Sequence, residues 1–244
     1  MIRVRASLGF VLAGLLAVSL AVAATGYELP VSGQARVTFV AGPARLAGEA
    51  AELRAGQTLA APAEIEIGEA GRLELTLPEG SVVRFNAGTR FKLVKALADL
   101  RNRQVEVDVA LGDCWASVKD FLGDTAFELD SPTAVAGVAG TRYRLNVAET
   151  RDSAYYVYKG SVRVRPRWTP AGQPGPLSEV QGPERVPGPS RVSREEWTEI
   201  VSAGYQFVIR ADGRYDRPQR FDEAAQLADP WVKWNMERDA LLGW

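Results

Sequence analysis

Period-two alternation, repeated along the chain and cut by glycine, limits what this sequence can fold into. In the segment 142–147, Tyr143, Leu145 and Val147 alternate with Arg142, Arg144 and Asn146. Leu73, Leu75 and Leu77 alternate with Arg72, Glu74 and Thr76, and Ile65 and Ile67 with Glu64 and Glu66. Val105, Val107 and Val109 alternate with Glu106 and Asp108. A period of two sends one set of side chains to a buried face and the other to water. Shorter pieces of the same kind recur at Val37 and Phe39, Ala44 to Leu46, Val83 and Phe85, Phe91 and Leu93, Phe127 and Leu129, Tyr155 to Tyr158, and Val162 and Val164. Gly42-Pro43 and Pro78-Glu79-Gly80-Ser81 predict reversals between strands. Leu111-Gly112-Asp113 predicts a turn after which Trp115 and Val118 return, and Ala96 to Gln104 reads as one helical turn or a loop.

Helices do not alternate with these strands, so a parallel α/β sheet is not expected. Each strand carries one charged face, so the sheets are expected to be antiparallel or solenoidal, wet on one side. The fold class is all-β: an irregular β-solenoid or a rolled β-sandwich of short strands, with a short mixed α/β C-terminal tail.

Three regions follow. Residues 1–24 read as a signal peptide, with Arg3 and Arg5, an apolar run from Leu8 to Val22, and the cleavage pattern Ala21-Val22-Ala23. That run is shorter than the roughly 20 residues of a membrane span; an uncleaved anchor is the alternative. The expected location is periplasmic or secreted, touching the membrane only through this segment if it stays uncleaved. Residues 35–190 form the β domain, ending in the Pro/Gly-dense stretch 166–192, which cannot sustain a ladder. Residues 191–244 form the tail. There, Ser193 is a candidate N-cap, Tyr205 to Arg210 reads as one strand, Asp222 caps a helix to Ala228, and Asp229-Pro230 restarts a helix. Ala224, Leu227, Trp231, Trp234 and Leu241 fall near one face. This face either packs on the β domain as a lid or docks a partner, and Trp231, Trp234 and Trp244 cluster at this end.

The residue inventory excludes several chemistries. The chain has no histidine, which removes Ser-His-Asp and Cys-His catalysis and His-ligated zinc. Its one cysteine, Cys114, removes an internal disulfide and a CxxC knuckle, and reads as a small buried hydrophobe. A formal net charge of −1 shows none of the basic excess that nucleic-acid binding needs. Paired carboxylates remain as a catalytic option: Glu64/Glu66, Glu106/Asp108 and Glu195/Glu196. The first two pairs lie on the wet faces of strands and read as solvated charges. Asp120, Asp124, Glu128 and Asp130 match no calcium-loop spacing, and Gly137-x-x-Gly140 leads into neither lysine nor helix, so it is no phosphate loop. No cofactor is expected. Tyr155, Tyr156 and Tyr158 beside Lys159 either line a ligand surface or pack within a sheet.

One ordered set of motifs carries a resemblance. Ser131 to Val147 reads S-P-T-A-V-A-G-V-A-G-T-R-Y-R-L-N-V. Leu53 to Leu59, Leu75 to Thr89 and Leu111 to Val118 precede it, and Val157 to Val164 (V-Y-K-G-S-V-R-V) follows. Together they resemble the FecR domain over roughly residues 35–190, with Pro132, Gly137, Gly140, Thr141, Tyr143 and Gly160 as structural motif positions. Gly137 and Gly140 lack a Cβ, so positive φ or a close backbone approach is open to them, and the Thr141 hydroxyl can satisfy a backbone group at the bend. The resemblance implies a non-enzymatic role in envelope sensing or scaffolding. In signalling members a cytoplasmic anti-sigma region precedes one span, and the periplasmic domain touches an outer-membrane transducer. Here seven residues precede the apolar run, so no anti-sigma domain in cis is expected.

The expected function is therefore an exported module for envelope sensing or interaction, binding a protein partner or envelope polymer through its β surface or through Trp231 and Trp234. A small-molecule or glycan receptor, with a pocket lined by Tyr155, Tyr158 or Trp115, is the alternative. A carboxylate hydrolase is the third reading.

Overall fold

The structure is a computed structural model and describes residues 33–98, 103–120, 125–167 and 199–244. The leader, the linker and Ser193 lie outside the described residues. The strands in chain order are β1 (Gln34–Ala41), β2 (Ala44–Leu46), β3 (Thr58–Ala60), β4 (Ala63–Ile67), β5 (Arg72–Thr76), β6 (Val82–Phe85), β7 (Arg90–Ala98) and β8 (Arg103–Ser117). There follow β9 (Thr125–Asp130), β10 (Ala134–Val138), β11 (Arg142–Val147), β12 (Ser153–Lys159), β13 (Ser161–Pro166), β14 (Glu199–Ser202), β15 (Tyr205–Ile209) and β16 (Gln219–Arg220). Two helices, α1 (Glu223–Ala228) and α2 (Pro230–Leu241), end the chain. The all-β class with a short helical tail is as expected, and the strands form one open, rolled sheet.

The roll turns on β8. The sequence predicts a turn at Gly112, yet β8 runs unbroken for 15 residues. Its first half pairs with β7 and, in parallel, with β9; its second half pairs with β6 and β11. Gly112 sits between the halves at φ +107°, and a Cβ there would lie 2.5 Å from Thr89 Cα. Glycine is needed for a bend that redirects the strand, not for a reversal. Of Ala96 to Gln104, read as a helical turn or a loop, the two ends are strand, β7 continuing to Ala98 and β8 beginning at Arg103, and residues 99–102 lie outside the described residues. Among the described strands every pairing except β8–β9 is antiparallel.

The inner faces of both halves close on one core. Tyr143, Leu145 and Val147 of β11, Leu73 and Leu75 of β5, and Val105, Val107 and Val109 of β8 are all buried in it, as their alternation predicts. Phe85 of β6 stacks on Phe91 of β7 with ring centroids 3.5 Å apart. The tail is woven into this body, contributing three strands where the sequence reading expects one: β14 pairs with β13, β15 with β12, and β16 with β15.

The outer faces differ. Around β4, β7 and the first half of β8 the charges are solvated and paired across strands: Lys92 with Glu64, Arg45 with Glu66, and Lys95 with Glu106. Glu64/Glu66 and Glu106/Asp108 are thus surface charges. On β5, β6 and the second half of β8, by contrast, the expected wet face is sealed by α2. Glu74 (2% exposed), Arg84 (0%) and Ser117 (0%) are buried beneath it.

Candidate functional site

Strand register assembles the sealed face. Glu74 of β5 stands opposite Arg84 of β6, Arg84 opposite Trp115 of β8, Trp115 opposite Arg144 of β11, and Arg144 opposite Tyr156 of β12. Helix α2 lies over this row. Its start is fixed by the Asp229 carboxylate, which accepts from the Trp231 backbone N–H at 2.8 Å, with Pro230 at the first helical position. Its inward residues are Trp231, Val232, Asn235 and Asp239. The expected apolar face through Leu227 and Leu241 is corrected: Leu227 is 49% and Leu241 83% exposed. The four-residue spacing of Trp231, Asn235 and Asp239 makes the seam, and half of the helix's inward residues are polar.

Two ionic centres hold the helix down. In the first, Asp239 (0% exposed) accepts from Arg84 Nη1 at 2.6 Å, Trp115 Nε1 at 3.0 Å and the Ser117 hydroxyl at 2.9 Å. Glu74 takes the other side of Arg84, through Nε at 2.7 Å, and also accepts from Arg238 Nε at 2.6 Å. Burial pushes the Glu74 carboxyl up, and hydrogen bonds from Arg238, Arg84 and Thr38 outweigh it, leaving it below its ordinary value. In the second centre, Arg144 bridges Asp113 (2.8 Å) and Asp229 (2.9 Å), and Trp231 Nε1 donates to Asp113 at 3.1 Å. Burial raises the Asp113 carboxyl, opposed by Arg144. Buried charges occur where they are paired and hydrogen-bonded, and a helix fastened in this way is a fixed part of the body.

Beside this seam lies an open cleft of about 650 Å³. One wall is the bend ahead of β11. There Gly140 takes φ +60° and Gly160 φ +78°, and a Cβ on Gly160 would lie 2.7 Å from the Gly140 carbonyl oxygen. The Thr141 hydroxyl lies 2.9 Å from the Ala139 carbonyl and 2.8 Å from that of Ser161, satisfying the backbone as expected. The Gly140 N–H donates to the Lys119 carbonyl, which brings Lys119 to the same rim. Arg142 and Lys159 follow along it. Trp244 lines the cleft as well. At the end of α2, Gly243 has φ +78° and donates its N–H to the Ala240 carbonyl, while the Trp244 N–H reaches the Asp239 carbonyl. This Schellman turn folds Trp244 back over the cleft.

The predicted site residues separate. Tyr155 (0% exposed) is in the core, its hydroxyl donating to Ser131 Oγ at 3.0 Å, so it lines no surface. Trp231 (3%) and Trp115 (0%) are sealed at the helix seam. Trp234 is half-buried, stacked on Trp231 with Arg72 over its ring. Tyr158 is half-buried and lines a pocket of about 250 Å³ with Phe221, Leu227 and Met236. Pro132 occupies the Ser131–Ala134 turn. Gly137 lies inside β10 with open space around it, so neither positive φ nor close approach explains it. Tyr143 is core. Among the described residues no three acids or thiols gather as metal ligands, and no helix is long and apolar enough to cross a membrane.

The residues that sequence reasoning missed are Arg84, Asp113, Arg144, Asn235 and Asp239. The available signals were an arginine inside V-V-R-F and the four-residue spacing of Trp231, Asn235 and Asp239.

Comparison with known proteins places these features. The family model described as "FecR protein" matches residues 63–163. The match takes in the Ser131–Val147 signature and the β4–β12 body, and leaves α1 and α2 outside. No curated protein matches the chain. Two crystal structures described as a "putative anti-sigma factor" from Parabacteroides distasonis ATCC 8503 are similar. One is 19% identical with TM-score 0.47 over 68% of this chain, the other 21% identical with TM-score 0.48 over 69%. The matched region is 64% of each of those chains, so this chain spans less than two thirds of their length.

Proposed function

We propose that this chain, whose residues 63–163 carry a FecR domain, works by recognition: a non-enzymatic, exported module for envelope sensing or interaction that binds a protein partner or an envelope polymer. The observation that carries this reading is the position of the signature bend. Gly140, Thr141 and Arg142 form one wall of an open cleft, so a motif otherwise explained by packing also borders a surface that a ligand reaches. The non-enzymatic part rests on the carboxylates. Glu74, Asp113 and Asp239 are each clamped by guanidinium and indole or hydroxyl donors, and an acid so fixed is a poor proton shuttle. Export rests on the charged, apolar and Ala-x-Ala pattern of residues 1–24.

The test is in-cell crosslinking of the tagged full chain, carrying its own leader, followed by fractionation. A defined envelope component crosslinked to the mature chain supports the proposal. Retention in the cytoplasm, absence of any specific crosslink, or turnover of an envelope polymer by the purified chain would each overturn it.

A further inference from the structure

The cleft beside the signature bend has a composition that selects a ligand class. Its rim carries Lys119, Arg142 and Lys159, brought together from the end of β8, from β11 and from the end of β12. Lys119 and Lys159 are exposed, and among the described residues neither forms an ion pair with a carboxylate. Arg142 makes one long contact, 3.8 Å, to Asp239, whose charge Arg84 already meets. The floor acid, Glu74, is neutralised by Arg84 and Arg238. The exposed Asp120 is the remaining acidic side chain of the lining. The cleft therefore holds a surplus of positive charge on a chain whose formal net charge is −1, and a concave site focuses that field.

Its other surfaces are neutral and of two kinds. Trp244 presents an indole whose position is set by the Gly243 turn, with Lys119 Nζ 6.0 Å from its ring centroid. Thr38 and Thr76 supply hydroxyls: Thr76 Oγ1 donates to Thr38 Oγ1 at 3.2 Å, which in turn donates to Glu74 Oε1 at 2.8 Å. This chain consumes the donor protons and leaves the outermost hydroxyl oxygen, that of Thr76, free to accept. A volume of about 650 Å³ falls in the range of about 300–1,000 Å³ usual for small-molecule sites.

We infer that this cleft binds an anionic saccharide, a sugar ring bearing a carboxylate. The carboxylate meets the lysine and arginine cations, a ring face lies on Trp244, and a sugar hydroxyl donates to Thr76. The inference rests on the recognition reading above and narrows its ligand. The cations occupy one cleft instead of a track along the surface, which sets this ligand apart from a nucleic-acid backbone.

The test is calorimetric titration of the purified mature chain with trigalacturonate, monomeric galacturonate, maltotriose and hexaglutamate. Trigalacturonate is expected to bind saturably and at least about tenfold more tightly than maltotriose, because the neutral sugar leaves the rim cations unmet. Lys119→Gln/Lys159→Gln and, separately, Trp244→Ala are each expected to weaken it by about fivefold or more, with an unchanged melting temperature. Galacturonate binding as tightly as the trimer upholds the class and points to a free sugar acid; a tighter trimer upholds it and points to a polymer. Equal binding of maltotriose, equal binding of hexaglutamate, or indifference to both variants overturns it. If trigalacturonate fails while the envelope crosslink persists, the ligand class is wrong and the recognition reading stands. If both fail, both fall.

Discussion

Removing the Asp239 carboxylate tests whether the polar seam holds the helix to the sheet. In Asp239→Ala, Arg84 loses its 2.6 Å partner on Nη1 and keeps Glu74 on Nε and Asn235 Oδ1 at 3.4 Å, while the Ser117 hydroxyl loses its acceptor and Trp115 Nε1 keeps only Ser117 Oγ at 3.3 Å. Breaking a buried ion pair from one side costs about 3–5 kcal/mol. Each further orphaned donor adds about 1–3 kcal/mol, reduced by any water that enters the space. A loss of at least about 3 kcal/mol is expected, a large share of the total stability of about 5–15 kcal/mol for a domain. Urea unfolding followed by tryptophan fluorescence gives the value. Leu241→Ala, at a site 83% exposed on the same helix, is the control and is expected to change stability by less than about 0.5 kcal/mol. Replacing both charged partners by apolar groups, Arg84→Met with Asp239→Leu, removes the orphan and is expected to recover about 2 kcal/mol relative to the sum of the single losses. A loss below about 1 kcal/mol in Asp239→Ala, or strict additivity in the pair, refutes the reasoning. So does a loss confined to faster hydrogen exchange in α2 with the body unaffected.

Three further outcomes are expected. Gly112→Ala places a Cβ 2.5 Å from Thr89 Cα at φ +107°, so a loss above about 1 kcal/mol is expected, read as a fall in melting temperature. Asp130 is pushed up to about 6 by burial, with Arg167 opposing and Glu128, Asp108 and Glu106 assisting; an acid raised in the folded state favours folding at low pH, so its contribution declines as pH rises from its ordinary 3.8 to about 6, by roughly 3 kcal/mol. Asp130→Asn is expected to flatten the stability profile across that window, and an unchanged profile would contradict the assignment. Cys114 is fully buried and its thiol is raised well above its ordinary value by burial; an aromatic disulfide reagent is expected to leave the native chain unmodified and to label it at unfolding.

The alternation determined much by itself, because a strand's two faces are written at period two. Tyr143, Leu145 and Val147 are core, the hairpin between Leu77 and Ser81 closes as its turn residues predict, and Asp222 and Asp229 cap the two helices. The FecR resemblance was legible from the ordered motifs for the same reason: they are local strings. What those strings left open was the fate of each polar face. Arg84 and Lys92 both read as strand charges in water, yet Arg84 is wholly buried and Lys92 is not. The difference comes from α2, well over a hundred residues downstream, whose inward residues include asparagine and aspartate and so gave no apolar stripe to find. Gly112 likewise read as a turn because a glycine announces freedom of φ without saying which way the chain goes next; pairing with β6 and β11 decided for a bend. Burial, ion-pair choice and the cleft between Gly140 and Trp244 belong to tertiary structure, since each depends on which distant segments the roll brings together.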